Sequence, residues 1–313
     1  MYATLELAKK YQVIAVGHRE CDNGFFEQYD IPYITVDVEE RKTFNVLDRY
    51  EPFAVVHLAG LLPARMKGYK PERYINSIIL GTLNVLNYCV EKHVDRIIYG
   101  QSVADVSYLY GSVTPIDSDA PRRFPLNNDH SVYAICKNAA VDLMEHYYAK
   151  YGLKRFVLRF PNIYLYQPET HYYLDGEWRW QSYRKLIDMA QNGEQLEIWG
   201  NPDIKRDIVY IKDCVQIIER AIKANVFGGI YNVGTGVGTS MREQVEGIIK
   251  VFAPNGYSKK PIEKYDMPDS PEYIMDISKT ERELGYAPQY DYISYLEDMK
   301  LEMQLKRFDK LYT

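Results

Sequence analysis

Residues 96–102 read RIIYGQS (Arg96 to Ser102), an unbroken β-branched and aromatic run that closes on two polar residues, and this stretch decides the fold. A run without polar alternation suits a strand buried on both faces. Outward from it the pattern recurs at QVIAV (Gln12 to Val16), YITV (Tyr33 to Val36), FAVVHLA (Phe53 to Ala59) and RFVLRF (Arg155 to Phe160). Amphipathic stretches separate the runs, notably Arg73 to Lys92 and Val132 to Lys150. Strands alternating with crossover helices predict a doubly wound parallel α/β sheet, its strands buried on both faces and its ligands outside their carboxyl ends.

Beyond Phe160 the pattern loosens. YLYQPETHYYLDGEWRW (Tyr164 to Trp180) mixes Pro, Gly and charge with aromatics and predicts an irregular lid, with Trp178 and Trp180 free to stack on a base or to pack a loop. Helices follow over Ser182–Asn192, Lys212–Ala224, Ser240–Phe252 and Ser294–Arg307, with short strands at LEIWG and GIYNVG, which predicts a smaller C-terminal α/β substrate domain. No repeat or Gly/Ser linker intervenes, so a cleft between two packed units is the expected pocket.

Composition narrows the function. The 313 residues carry 38 basic and 43 acidic side chains, net charge -5, so no global field draws the chain to nucleic acid. No apolar run nears the roughly 20 residues of a membrane span, and MYATLELAKK lacks a leader pattern, so no membrane and a cytoplasmic location are expected. Cys21, Cys89, Cys136 and Cys214 form no C-x-x-C pair, and the six histidines have no ligand-spaced companions; free thiols and no metal are expected, with His57 packed at a strand end.

Tyr133 and Lys137 stand four residues apart on a predicted helix, hence on one face. A tyrosine titrates near pH 10 and becomes a useful base only where positive charge stabilises its phenolate, and Lys137 is placed to supply that charge. Tyr88 and Lys92 share the spacing but lack a polar strand end before them, so they read as a helix-surface coincidence. Ser102, at the carboxyl end of its strand, completes a candidate triad with Tyr133 and Lys137. Val103 and Ala104, the next two residues, transfer no protons, and Asp105 comes only after them.

Several further motifs agree in order. VVHLAG (Val55 to Gly60), NSIILGTLNVL (Asn76 to Leu86), LRFPNIY (Leu158 to Tyr164), KRDIVYIKD (Lys205 to Asp213), GIYNVGTG (Gly229 to Gly236) and DISKTERELGY (Asp276 to Tyr286) together resemble the extended short-chain dehydrogenase/reductase family, the NAD(P)-dependent nucleotide-sugar epimerases and dehydratases. The resemblance implies a Rossmann-like NAD(P)-binding domain over residues 1–160 with a returning segment about 205–228, and a substrate-binding domain over 161–204 and 229–313. It implies that Tyr133 exchanges a proton with a sugar hydroxyl beside Ser102 while hydride passes to or from a nicotinamide. Lys137 would also hold the cofactor ribose. Asp37 and Val38 match adenine-side positions, Leu58, Ala59 and Gly60 the pyrophosphate and ribose path, and Asn76 a place beneath it. Asn162 and Arg206 match substrate-side positions, and an Arg fork suits diphosphate oxygens.

The chain departs from that family at its start. The first strand and its G-x-x-G-x-x-G turn, which carries backbone amides to the pyrophosphate, are missing, and the expectation is a natural product longer than this one. At the end of the second strand Gly17-His18-Arg19 replaces the ribose-binding acid, and Arg19 tilts the cofactor from NAD toward NADP. Glu272 and Tyr273 stand where many relatives bring a basic group. Blander readings leave Asp37 as a turn acid, Asn76 as a buried hydrogen-bonding residue, Asn162 as a loop cap and Arg206 as a partner of Asp203 or Asp207. The expected activity is epimerisation of a UDP- or dTDP-hexose through a transient keto sugar. The alternatives are an NADPH-dependent 4-keto-sugar reductase and a catalytically impaired pseudoenzyme that binds cofactor or sugar nucleotide. A homodimer through the helices near 73–92 and 132–150 is expected.

Overall fold

Period-two alternation along the central strand sets up the layers: Ile97 and Tyr99 enter one core with Val85, Leu86 and Ala140, whereas Ile98 enters another with Cys214, Ile217 and Ile218. The computed structural model describes residues 1–63, 67–112, 114–128, 130–174 and 177–312. In chain order the elements are α1 (Tyr2–Ala8), β1 (Ala15–Gly17), β2 (Tyr33–Thr35), β3 (Ala54–His57), α2 (Pro71–Tyr74), a π-helical turn (Ile75–Leu80), α3 (Gly81–Glu91), β4 (Arg96–Ser102) and α4 (His130–Tyr151). Then come β5 (Lys154–Phe160), β6 (Asn162–Tyr164), β7 (His171–Leu174), β8 (Glu177–Trp180), α5 (Ser182–Gln191), β9 (Glu197–Trp199), β10 (Lys205–Arg206), β11 (Ile208–Tyr210), α6 (Ile211–Lys223) and β12 (Gly228–Asn232). The chain ends with β13 (Thr239–Ser240), α7 (Met241–Phe252), β14 (Ile262–Lys264), α8 (Ser278–Leu284) and α9 (Tyr292–Leu305).

The parallel sheet is in two pieces. Four strands run in the order β12-β5-β4-β3, and β1 pairs only with β2. Both pieces share side-chain layers, since Ile34 and Val55 pack on one core and Val13 and Val56 on another. The expectation that every strand is buried on both faces therefore holds for β4 and β5 but not at the break, where Val16 is 48% exposed and β3 is half-buried. An edge strand has a neighbour on one side only, so it keeps water on the other. Among the described helices none is long and apolar enough to cross a membrane.

One expectation is corrected. Residues 171–174 and 177–180 are not irregular: β7 and β8 pair antiparallel, with His171 opposite Trp180 and Tyr173 opposite Trp178. The rings cluster across the strands, His171 lying 4.4 Å from Trp180 and Tyr173 4.5 Å from Trp178, and such cross-strand aromatic pairs stabilise a ribbon that local composition does not announce. β12 (Gly228–Asn232) pairs with Arg155–Arg159 as the outer strand of the central sheet.

A third core unites α5, α7 and α9 with α1 and the loop after β1. Tyr2 donates to the Tyr166 carbonyl at 3.0 Å and its ring lies 4.5 Å from Phe308.

Candidate active site

β4 ends at Ser102, whose hydroxyl oxygen accepts from the Ala104 N–H at 3.2 Å and so starts the turn that follows. Opposite it, α4 begins where Ser131 donates to the Pro125 carbonyl (2.9 Å) and the Asn128 side chain accepts from the His130 N–H (3.0 Å). This pinned first turn delivers Tyr133, buried at 7% exposure, to the strand end. Burial holds the Tyr133 phenol well above its ordinary pKa; the neighbouring Ser102 side chain pulls the other way, and Tyr74 and Asp105 push it up further. One turn on, Lys137 donates to the Gly100 carbonyl at 2.7 Å and sits 4.5 Å over the Tyr99 ring, against 5.9 Å from the Tyr133 ring. Burial lowers the Lys137 ammonium to about 8. The three residues of the candidate triad thus converge, although in this arrangement Lys137 makes its closest contacts with the strand below the phenol.

The cofactor-side candidates form a rim continuous with this cluster. Leu58 and Ala59 stand exposed just past β3, and Gly100 keeps room for Leu58, because a Cβ there would lie 3.1 Å from Leu58 Cδ2. Gly60 has φ +142°, a conformation that side-chain-bearing residues avoid. Asp37 is an exposed turn acid that accepts from the Glu39 N–H at 2.9 Å, and Val38 presses on Gly81, where a Cβ would come within 2.9 Å. Asn76 is exposed on the π turn, which corrects the reading of it as a buried hydrogen-bonding group. The tie between helix and loop is made by Asn84, which donates to the Val38 carbonyl at 2.8 Å, and by Ser77, which accepts from the Leu61 N–H at 3.2 Å. Beneath the rim His57 shares a 3.0 Å hydrogen bond with Thr82.

Arg19 stands apart from this rim. Its guanidinium donates to the Leu311 carbonyl and lies 5.4 Å from the Tyr312 ring centroid, so the charge expected at a 2′-phosphate is engaged by the C-terminal segment.

On the substrate side, Asn162 opens β6 and Arg206 ends β10. Arg206 donates to Gln244 (3.1 Å) and Tyr164 (3.4 Å), and its Nε is buried with no hydrogen-bond partner. Asp207 does not neutralise it: that carboxylate is fully buried and accepts from the Thr235 and Gly236 N–H groups and the Thr235 hydroxyl. Asp203 lies 3.8 Å from Arg242 instead. Among the described residues Arg206, half-buried with its Nε shielded from water, has no carboxylate partner.

The protein-family model described as the NAD dependent epimerase/dehydratase family matches residues 2–234. The chain belongs to that family. It is 25% identical over 324 residues to UDP-glucose 4-epimerase of Rhizobium meliloti, with 95% of this chain and 91% of the relative covered. Among solved structures it resembles UDP-glucose 4-epimerase of Thermotoga maritima with UDP-glucose (TM-score 0.78, 21% identity, 97% of this chain and 95% of that one). UDP-glucuronic acid 4-epimerase of Bacillus cereus in complex with NAD is also similar (TM-score 0.74, 20% identity, 97% and 95%). The fold is therefore the Rossmann-like α/β fold of these enzymes.

Within this family member several site-shaping residues carry weak sequence signals. Asp105 is the buried counterion of Arg159, 2.9 Å away, where it cannot reach a substrate. Tyr88 is not a surface residue: it is 5% exposed, with its ring 5.8 Å from Phe44, and Lys92 pairs with Asp48 at 3.0 Å. Tyr273 stacks on Tyr110 at 4.9 Å and bridges to Arg206, so it frames the guanidinium rather than replacing a basic group. Tyr164 and Gln244 meet Arg206 only through tertiary packing. Asn84, a polar residue on the apolar face of a helix, is the one signal a sequence reader could have used.

Proposed function

We propose that this protein interconverts nucleotide sugars as an epimerase, with a UDP- or dTDP-hexose as substrate and a transient keto sugar on the path. The observation that carries the reading is that Ser102, at the carboxyl end of β4, lies beside Tyr133, with Lys137 one helical turn on and bonded to the Gly100 carbonyl of the same strand. A nicotinamide dinucleotide supplies hydride exchange when bound. The residues present fit it at the rim: Leu58, Ala59 and Gly60 give an open shoulder, Asp37 and Val38 continue it, and Lys137 retains ammonium donors beyond the one spent on Gly100. Tyr133 moves the proton of a sugar hydroxyl, and Ser102 bonds to the same oxygen and orients it. Burial favours the neutral phenol, so the resting side chain is set to donate; Lys137, one turn on, is the charge this reading assigns to favour the phenolate needed to accept. Arg206, with no carboxylate partner, binds the diphosphate by paired charge-assisted hydrogen bonds. NAD is the better-supported cofactor, since Arg19 is spent on the Leu311 carbonyl and the similar solved structures hold NAD.

Incubation with NAD and UDP-glucose, UDP-galactose, UDP-glucuronate or dTDP-glucose, followed by chromatography, should show sugar interconversion that Tyr133→Phe abolishes. Wild-type protein that turns over none of them sinks the proposal. A non-catalytic sugar-nucleotide or cofactor-binding protein is the second reading, favoured by the break between β1 and β3; it predicts binding of UDP or NAD by calorimetry without turnover. A homodimer through α2, α3 and α4 is supported by the exposure of Ile75, Leu80 and Ile135, and light scattering at twice the chain mass would bear it out.

A further inference from the structure

We infer that Gln101, Asn138 and Arg122 form a positioning chain that sets the orientation of Ser102. The inference rests on the catalytic reading above and adds to it three residues outside the motifs that mark the family. Gln101 is 3% exposed, and its side chain folds forward so that Oε1 accepts the N–H of Ser102 at 2.9 Å. The last amide of β4 is thereby turned toward a side chain, and the strand end takes its course from Gln101. The other end of that amide, Nε2, donates to Asn138 Oδ1 at 3.1 Å. Arg122 then clamps Asn138, donating to its backbone carbonyl at 3.1 Å and to Oδ1 at 3.4 Å, and closes the chain on Asp142.

Two features argue for positioning over plain packing. The chain links β4 to α4 at the residue next to Lys137, so it sets the separation of the strand end carrying Ser102 from the helix face carrying Tyr133 and Lys137. Two donors also converge on Asn138 Oδ1 and fix the amide's direction while its own Nδ2 stays buried with no hydrogen-bond partner. A side chain selected for packing alone avoids an unpaired buried donor. Gln101 holds the Ser102 N–H and the Ala104 N–H engages the Ser102 oxygen, so backbone and side chain of Ser102 are both fixed beside Tyr133.

The test is Gln101→Met, which keeps the volume and removes both hydrogen bonds, measured with Ser102→Ala and with the double variant on whichever nucleotide sugar the wild type converts. Gln101→Met should lower kcat roughly tenfold with KM within about twofold, as expected for a group acting only on the transition state. In the double variant the two losses should not multiply, because Gln101 acts through Ser102. Gln101→Glu, which keeps the acceptor for the Ser102 N–H but gives up the donor to Asn138, should recover only part of the loss. Unchanged kcat in Gln101→Met, losses that multiply, or either no recovery or full recovery in Gln101→Glu each overturn the inference. Where the wild type is inactive the catalytic reading fails first, and the ring-carbon NMR signal of Tyr133, assigned through Tyr133→Phe, decides the chain. It shifts alike in Gln101→Met and Ser102→Ala if the chain holds the hydroxyl, and an unmoved signal in Gln101→Met overturns it.

Discussion

Lys137 donates a 2.7 Å hydrogen bond to the Gly100 carbonyl, two residues before Ser102 on the strand and one helical turn from Tyr133. One ammonium thus ties α4 to β4. The bond keeps a buried cation satisfied and holds Tyr133 and Ser102 in register. Burial raises the phenol and lowers the ammonium, so both groups are kept closer to neutral than they would be in water.

If Tyr133 moves the sugar proton, Tyr133→Phe lowers kcat by roughly 10²–10⁴-fold, the usual worth of a positioned acid/base. The fold should be retained, because the ring still packs on Tyr74, 6.1 Å away. Circular dichroism paired with the turnover assay checks both halves.

Replacing Arg206 by Met removes a guanidinium without a carboxylate partner, so it should spare or raise stability while weakening UDP by roughly ten- to a hundredfold. Calorimetric titration with UDP, alongside thermal melting, separates the two effects. Unchanged UDP affinity would remove Arg206 from the substrate side.

Burial, with the nearby Lys137 charge, lowers His57 to about 3 in the folded protein, against 6.5 for the ordinary imidazole. Between those values the unfolded chain binds the extra proton and the folded one does not, so stability rises with pH through this window and falls as pH drops from 6.5 toward 3. His57→Gln should flatten that part of the curve. Urea denaturation at pH 7 and pH 5, compared between wild type and variant, measures the difference; an equal loss in both would show that His57 contributes nothing to acid lability.

Asp105→Asn leaves Arg159 charged and 0% exposed, bonded only to neutral oxygens of Asn232 and Ser118. Breaking one half of a buried pair costs about 3–5 kcal/mol, and the denaturation midpoint should fall accordingly. A loss below about 1 kcal/mol would mean the pair is not buried in solution.

The sequence was most legible where side chains near in the chain settle the outcome. The 96–102 strand is seen at those residues, and the helix expected over 132–150 spans His130–Tyr151. Tyr133 and Lys137 share a face because a helix repeats about every 3.6 residues, whatever lies around it. The 12–16 run, by contrast, pairs as residues 15–17, because hydrogen bonding to β2 chose which part became strand.

What the amino-acid order determined alone was the alternation of strand and helix, the family, and the choice of Ser102, Tyr133 and Lys137 as candidates, since each follows from local periodicity or from motifs read in line. Tertiary structure decided the rest: which partner a charge takes, as when Arg19 meets Leu311, Asp105 meets Arg159 and Arg206 meets no carboxylate, and that an aromatic loop becomes two paired strands. Those outcomes depend on contacts between residues tens to hundreds of positions apart and on how much water each site excludes, and neither quantity is written in any short window of the chain.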